Sequence, residues 1–232
     1  FHIDQDSLEQ TYWRMHEAYS TIFTRLGLDF RPVEADTGSI GGSHSHEFHM
    51  LADSGEDSIA FSTESDFAAN VELAEALMPQ AVTAEFETMA LFNTPDAKTI
   101  DALSKNHGIA PDTSLKTLFV EDAQGGLVAL VLRGDQQLNE IKAEKISGIS
   151  QPLRMAQESA VKTATGASFG SLGPVGLDVR IVVDRAASVL TNFVCGANEE
   201  GKHLKGVNWQ RDVPKFEVAD LRTVSAGDPS PC

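Results

Sequence analysis

The stretch LKTLFVEDAQGGLVALVLR, residues 115–133, contains two apolar runs joined by DAQGG. A connector of five residues with two adjacent glycines is hairpin chemistry, so LKTLFVE and GLVALVLR read as paired antiparallel strands. LVALVL carries no polar side chain at all, which predicts a strand covered on both faces rather than one washed by solvent. Helical and strand patterns alternate on either side of it. TPDAKTIDALSKNHG, residues 94–108, reads as a helix capped by Thr94, with Pro95 at its first position and Gly108 ending it. DQQLNEIKAEKI is a helix capped by Asp135, and RIVVDR a further buried strand behind the glycine-rich loop GASFGSLGPVGL. The alternation assigns an α/β class, and no internal repeat interrupts it.

Upstream, residues 6–26 repeat Leu8, Tyr12, Met15, Tyr19, Ile22, Phe23 and Leu26 at helical spacing. Asp6 or Ser7 serves as N-cap and Gly27 as the stop, giving a packed amphipathic helix. LDFRPVEA, HSHEFHMLA and SIAFS read as short strands, with DTGSIGGS as a loop and DSGED as a turn. From about Thr63 to Ala90 the periodicity weakens around Pro79, which marks a linker.

The chain has 232 residues, 41 % hydrophobic and 22 % charged, ordinary proportions for a globular protein. No run of eighteen apolar residues occurs, so no membrane partner is expected, and residue 1 opens no signal pattern. Cys195 and Cys232 are too few for a disulfide framework, which favours a cytoplasmic location. The net charge of −16 argues against a polyanionic partner. Its distribution reverses that: residues 1–89 hold three basic residues (Arg14, Arg25, Arg31) against seventeen acidic, whereas residues 90–232 hold fifteen against seventeen. Only the second region can present a local basic patch to phosphates.

Two groups of residues could carry chemistry. His44, His46 and His49 crowd around Glu47, the raw material of a metal site. On a strand, however, His44 and His46 share one face while Glu47 and His49 share the other, so these ligands do not converge, and no metal is expected. The second group comprises Lys116, the loop GSLGP at 170–174, Asp184 and His203. A lysine in an apolar strand is costly to bury unless it is partnered, snorkels or functions. The glycine-rich loop could present backbone N–H groups, although it is no nucleotide-binding fingerprint. His203, between Lys202 and Lys205, could titrate near neutrality or meet a phosphate. Neither cysteine has a local partner and no GxSxG elbow is present, so nothing supports a protein nucleophile.

In order along the chain, ADTGSIGGSHSHEFHMLADSGED, KTLFVE with LVALVLRGDQQLNEIKAEK, GSLGPVGL, GANEEGKHLKGVNWQRDV and VADLRTVSAGDPSP resemble bacterial-type prolyl-tRNA synthetase, over essentially the whole length. The resemblance implies a middle segment of such an enzyme. Residues 1–61 would be part of the α+β class II catalytic core, 62–89 a linker, and 90–232 an α/β, mixed-sheet editing insertion domain related to free-standing aminoacyl-tRNA deacylases. Thr37, Gly38, Ser39, Ile40, Gly41, Gly42, Ser43 and His44 would form the proline-binding loop, with Glu56 at an acidic position of that pocket. The implied partners are the acceptor end of proline tRNA, proline and alanine as amino-acid moieties, and the remainder of the synthetase chain, a homodimer when complete. ATP and Mg²⁺ would serve the complete ligase; no cofactor is expected in this segment.

The resemblance also assigns an editing pocket. Ile100 and Leu103 would form an apolar wall excluding proline, with Ser114, Ser171, Gly173 and Pro174 binding substrate. Lys116 would hold the terminal phosphate, the amides from Gly170 onward would polarise the ester carbonyl, and Asp184 and His203 would orient the terminal adenosine or the attacking water. Ser114 replaces a common threonine, and Phe169 stands where a proline is common. Editing has a physical motive: a pocket fitting proline cannot exclude the smaller alanine, since a lost methylene costs only about 1–3 kcal/mol. The alternatives are a non-catalytic tRNA-docking module of the same fold and, on the histidines, a metal-dependent hydrolase.

Overall fold

The computed structural model describes residues 2–35, 37, 45–52, 54–55, 57–82 and 84–232. The chain divides into two compact units, Phe1–Ala74 with Val224–Cys232, and Glu75–Thr223.

In the first unit, helix α1 (Gln5–Arg25) is capped by Asp4, whose carboxylate accepts from the Ser7 N–H at 2.8 Å; Asp6 and Ser7, the expected caps, fall inside the helix. A four-stranded sheet follows, ordered β2-β1-β4-β3, from β1 (Phe30–Glu34), β2 (His46–Met50), β3 (Ile59–Phe61) and β4 (Ala68–Asn70). Strand β4 lies inside the 62–89 stretch expected to link two domains, and the last nine residues belong with this unit rather than with the editing region. The packing expected of α1 is partial. Tyr19 and Phe23 meet Phe48, and Tyr12 Oη lies 2.7 Å from His46 Nδ1. No residue of the helix is buried, however, and Trp13, Met15 and Ile22 remain about half exposed.

The second unit contains two sheets. One, ordered β11-β8-β7-β6, is built from β6 (Leu115–Glu121), β7 (Leu127–Arg133), β8 (Arg180–Asp184) and β11 (Glu217–Ala219). The expected hairpin forms with β6 and β7 in antiparallel register from Leu115↔Arg133 to Glu121↔Leu127. Strands β7, β8 and β11 are mutually parallel, so the sheet is mixed. The other sheet is antiparallel, ordered β5-β10-β9, from β5 (Ala90–Asn93), β9 (Phe193–Gly196) and β10 (Lys202–Val207).

Two apolar clusters sandwich the mixed sheet. Ala129, Val131, Ile181 and Val183 face Phe193, Cys195, Val207 and Val161, the last from helix α4 (Glu158–Thr165). Val128, Leu130, Leu132 and Val182 face Ala143 of helix α3 (Glu140–Glu144) and Leu221. The polar-free run of β7 is therefore covered on both sides, as its composition requires. Two helices start later than expected. Helix α2 (Ile100–His107) is capped by Thr99, not Thr94, because only Thr99 directly precedes the apolar Ile100/Leu103 spacing. Helix α3 is capped by Asn139, while Asp135 instead forms a two-bond ion pair with Arg133.

Leu130 has no exposed surface. Leu130→Ala is expected to lower the unfolding free energy by about 2–5 kcal/mol, measured by urea denaturation.

Candidate active site

Strand β6 is the outer strand of its sheet, and five of its consecutive residues, Leu115 through Phe119, line a cavity of about 420 Å³. Both faces of one strand can border a cavity only where the strand has a free edge. That edge is closed at its ends: Ser114 bridges Val194 of β9, and the Ala156 N–H donates to the Phe119 carbonyl at 2.9 Å. Between these closures the cavity is completed by Lys98, Thr99 and Ile100 at the start of α2, by Met155, by Phe169, Gly170 and Leu172, and by Gly196 and His203.

The lysine in the apolar strand is half-buried, and its Nζ lies 3.5 Å from the Gly134 carbonyl oxygen. Desolvation pulls its pKa below the ordinary 10.5, and Asp135 opposes that pull. Lys116 therefore sits as a cation with few protein partners in a mainly apolar cavity, an arrangement that favours an anionic ligand.

His203 arrives from the other sheet, on the middle strand β10, opposite Phe92 of β5 and Gly196 of β9. It is 7 % exposed, and its Nδ1 lies 2.6 Å from Thr94 Oγ1. The residue read as a helix cap thus fixes the orientation of an imidazole. Burial, followed by the charge of His107, lowers the His203 pKa from 6.5, so the neutral ring is favoured. His107 is itself bonded to Asp96 at 2.9 Å.

The 170–174 loop is held by its own glycines. Gly170 has φ +97°, and a Cβ there would approach the Lys98 backbone to 2.8 Å, so only glycine lets the loop lie on the start of α2. Gly173 packs against the Gly196 carbonyl, and its N–H donates to Asn198 Oδ1 at 3.0 Å. Asn198 Nδ2 returns a bond to the Gly173 carbonyl at 3.0 Å, and Ser171 Oγ accepts from the Gly201 N–H at 3.0 Å. Gly170 and Leu172 line the cavity, and their backbone N–H groups have no acceptor among the described residues.

Of the residues singled out from sequence, Ile100, Lys116, Gly170 and His203 come together on this cavity. Six do not line it. Leu103 is buried with Ala97 and Val194 behind the helix face that presents Ile100. Ser114 is buried and donates to the Pro111 carbonyl at 3.0 Å. Ser171, Gly173 and Pro174 form the back of the loop. Asp184 lies at the end of β8, two strands from β6, and is fully buried. Its carboxylate caps helix α5 (Arg185–Ser188) through the Ala186 N–H at 2.8 Å and accepts from the Leu221 N–H at 2.9 Å. Burial raises its pKa above 3.8, against those two bonds. Sequence reading missed Thr94 as a partner of His203, and Lys98, Met155 and Leu118 as lining residues.

In the first unit, Gly38, Ser39, Ile40, Gly41, Gly42, Ser43, His44 and Glu56 lie outside the described residues, so of the expected proline-binding loop only Thr37 is described. Of the expected split of the histidines, the part on β2 is present, with His46 apart from Glu47 and His49, while His44 lies outside the described residues. His46 turns to Tyr12 and His16, while His49 Nε2 meets Glu47 Oε2 at 2.8 Å. Asp57 joins the latter pair, with potential ligand atoms all within 4.8 Å.

Among the described residues no helix is long and apolar enough to cross a membrane. The family model of the aminoacyl-tRNA editing domain matches residues 94–213, just over half of the chain and all of the cavity lining. Two solved structures share the fold. One, a hypothetical protein, has 27 % identity over 58 % of this chain and 91 % of its own, with a TM-score of 0.50. The other, described as a candidate trans-editing enzyme for prolyl tRNA synthetase, has 19 % identity over 58 % of this chain and 86 % of its own, again at 0.50.

Because the folded state holds His203 at a lowered pKa, it binds fewer protons than the unfolded chain between that value and 6.5. Stability must then rise with pH across that window and be lost as pH falls below 6.5. The urea midpoint is expected to drop between pH 7 and pH 5, and His203→Gln to flatten that drop.

Proposed function

Because this chain belongs to the aminoacyl-tRNA editing domain family, we propose that the β6-edge cavity hydrolyses the ester linking a small amino acid, alanine, to the 3′ end of a tRNA. The observation that carries the reading is the convergence of Lys116, His203 and the Gly170–Leu172 backbone on one largely apolar cavity. The acyl group sits against Ile100 and Leu115, whose bulk favours a small apolar side chain over the proline ring. Lys116 takes the terminal phosphate, which places an anion at a half-buried ammonium whose counter-charge, Asp135, is already bonded to Arg133.

The reaction is water addition to the ester carbonyl followed by loss of the ribose oxygen. In this reading the Gly170 and Leu172 N–H groups stabilise the negative charge that develops on the carbonyl oxygen. Neutral His203, with Nδ1 bonded to Thr94, offers Nε2 to the water or to the ribose hydroxyl. The proton lost by water ends on the departing ribose oxygen, leaving free alanine and tRNA with its terminal hydroxyl restored. Asp184 acts indirectly, holding α5 and the Leu221 segment in place rather than touching substrate.

The finer identity rests on the ordered motifs. ADTGSIGGSHSHEFHMLADSGED before the editing region, and VADLRTVSAGDPSP after it, support a segment of prolyl-tRNA synthetase in which residues 1–61 come from the class II core and proline tRNA is the substrate. A free-standing editing protein is the second reading, favoured by the extent of the family match, 94–213, and by the high coverage of the two solved structures. The deacylase chemistry is common to both.

The test is deacylation of alanyl- and prolyl-tRNA. The alanyl ester is expected to turn over and the prolyl ester to resist. Lys116→Ala and His203→Ala should each reduce turnover about 100-fold or more. Binding of tRNA with no turnover of either ester would leave only a docking module. Asp184→Asn is expected to lower the melting temperature first, because it weakens two buried N–H acceptors.

A further inference from the structure

Phe169 and Met155 are 48 % and 50 % exposed, and among the large exposed apolar side chains of the second unit's described residues only these two line the cavity. Neither is a loose surface residue. Phe169 immediately precedes Gly170, whose positive φ presses the loop onto the Lys98 backbone, and the Phe169 N–H reaches Glu158 Oε1 of α4 at 3.4 Å. The neighbouring Ser168 N–H donates to Glu200 Oε1 at 2.8 Å. Met155 is fixed by its backbone bridge to Val120, beside the Ala156 to Phe119 bond. Two solvent-facing apolar groups are thus held by rigid backbone on the rim, where water contact is unfavourable until something covers them.

The cavity also exceeds what an alanyl group needs. About 420 Å³ falls in the range of sites that enclose a whole small molecule, and the proposed acyl position uses only the part of the lining at Ile100 and Leu115. We propose that Phe169 and Met155 form a base clamp for the terminal adenosine of the tRNA substrate, deepening the deacylase reading on which this assignment rests. The aromatic ring supplies the stacking face and the flexible, polarizable thioether fills against the base edge. Lys98, at the same rim, and Lys116 then bracket the adjoining phosphate, so base, phosphate and acyl group each have their own part of the lining.

The experiment compares two alanylated acceptor-stem minihelices, one ending in adenosine and one in which the terminal ribose carries no base. Removing the base is expected to lower kcat/KM of the wild-type protein about tenfold, the usual scale of one base–aromatic stack. Phe169→Ala should lose a similar factor on the adenosine substrate, yet respond to base removal by less than about twofold. Phe169→Tyr should restore the wild-type response. A Phe169→Ala protein that still loses about tenfold on base removal overturns the clamp while leaving deacylation intact. Wild-type protein that hydrolyses neither minihelix overturns the deacylase reading, and the clamp with it. Should Phe169→Ala not fold, Phe169→Trp reads the same contact: AMP should quench the indole emission saturably, and an unchanged emission overturns the clamp.

Discussion

The double burial of β7 is the constraint on which the second unit depends. Its side chains from Val128 to Leu132 are all sealed from water, which demands apolar cover on both faces of the sheet. One cover comes from α4 and the β9–β10 sheet, the other from α3 and Leu221. Because β7 pairs with β8 on one side and β6 on the other, β6 is left as an outer strand. An outer strand leaves backbone and side chains of both faces open to a cavity. The location of the site therefore follows from which strand occupies the middle.

That position explains the chemistry assembled there. A cation on a central strand of this sheet would be fully desolvated, whereas Lys116 on the edge strand is only half-buried and borders the cavity. His203 comes from a separate sheet and meets the β6 edge only because the two sheets pack through Phe119, Phe193 and their neighbours. The 170–174 loop adds backbone N–H groups, and its glycines permit the approach to α2 and to Gly196 that side chains would block. The ammonium, the imidazole and the amide donors thus come from three parts of the chain that share one apolar core.

The site was only partly legible from residue patterns. Lys116 was conspicuous because a lysine in an apolar strand needs a reason, and Gly170 because repeated glycines mark special backbone. Thr94 was misread because TPDAKT holds two threonines with capping chemistry, and the first satisfies the proline rule as well as the second satisfies the apolar spacing. Its bond to His203 spans 109 positions, and no local pattern encodes such a distance. Asp184 shows the converse: a carboxylate at a strand end is equally suited to ligand binding and to capping, and here the capping geometry is filled by Ala186 and Leu221. Met155 gave no signal, since one methionine in an irregular stretch has no period.

By itself the sequence determined the class of the second unit, the β6–β7 hairpin and the buried β8, because apolar runs and turn glycines are local physics that operate within a few residues. It also determined the split of His46 from Glu47 and His49 across β2, since strand side chains alternate. Only the tertiary structure decided that β6 lies outermost, that β5, β9 and β10 form a second sheet, that Lys116 and His203 border one cavity, and that Thr94 bonds His203. Those relations depend on which apolar surfaces find each other across the chain, and burial is a non-directional force that residue order alone does not aim.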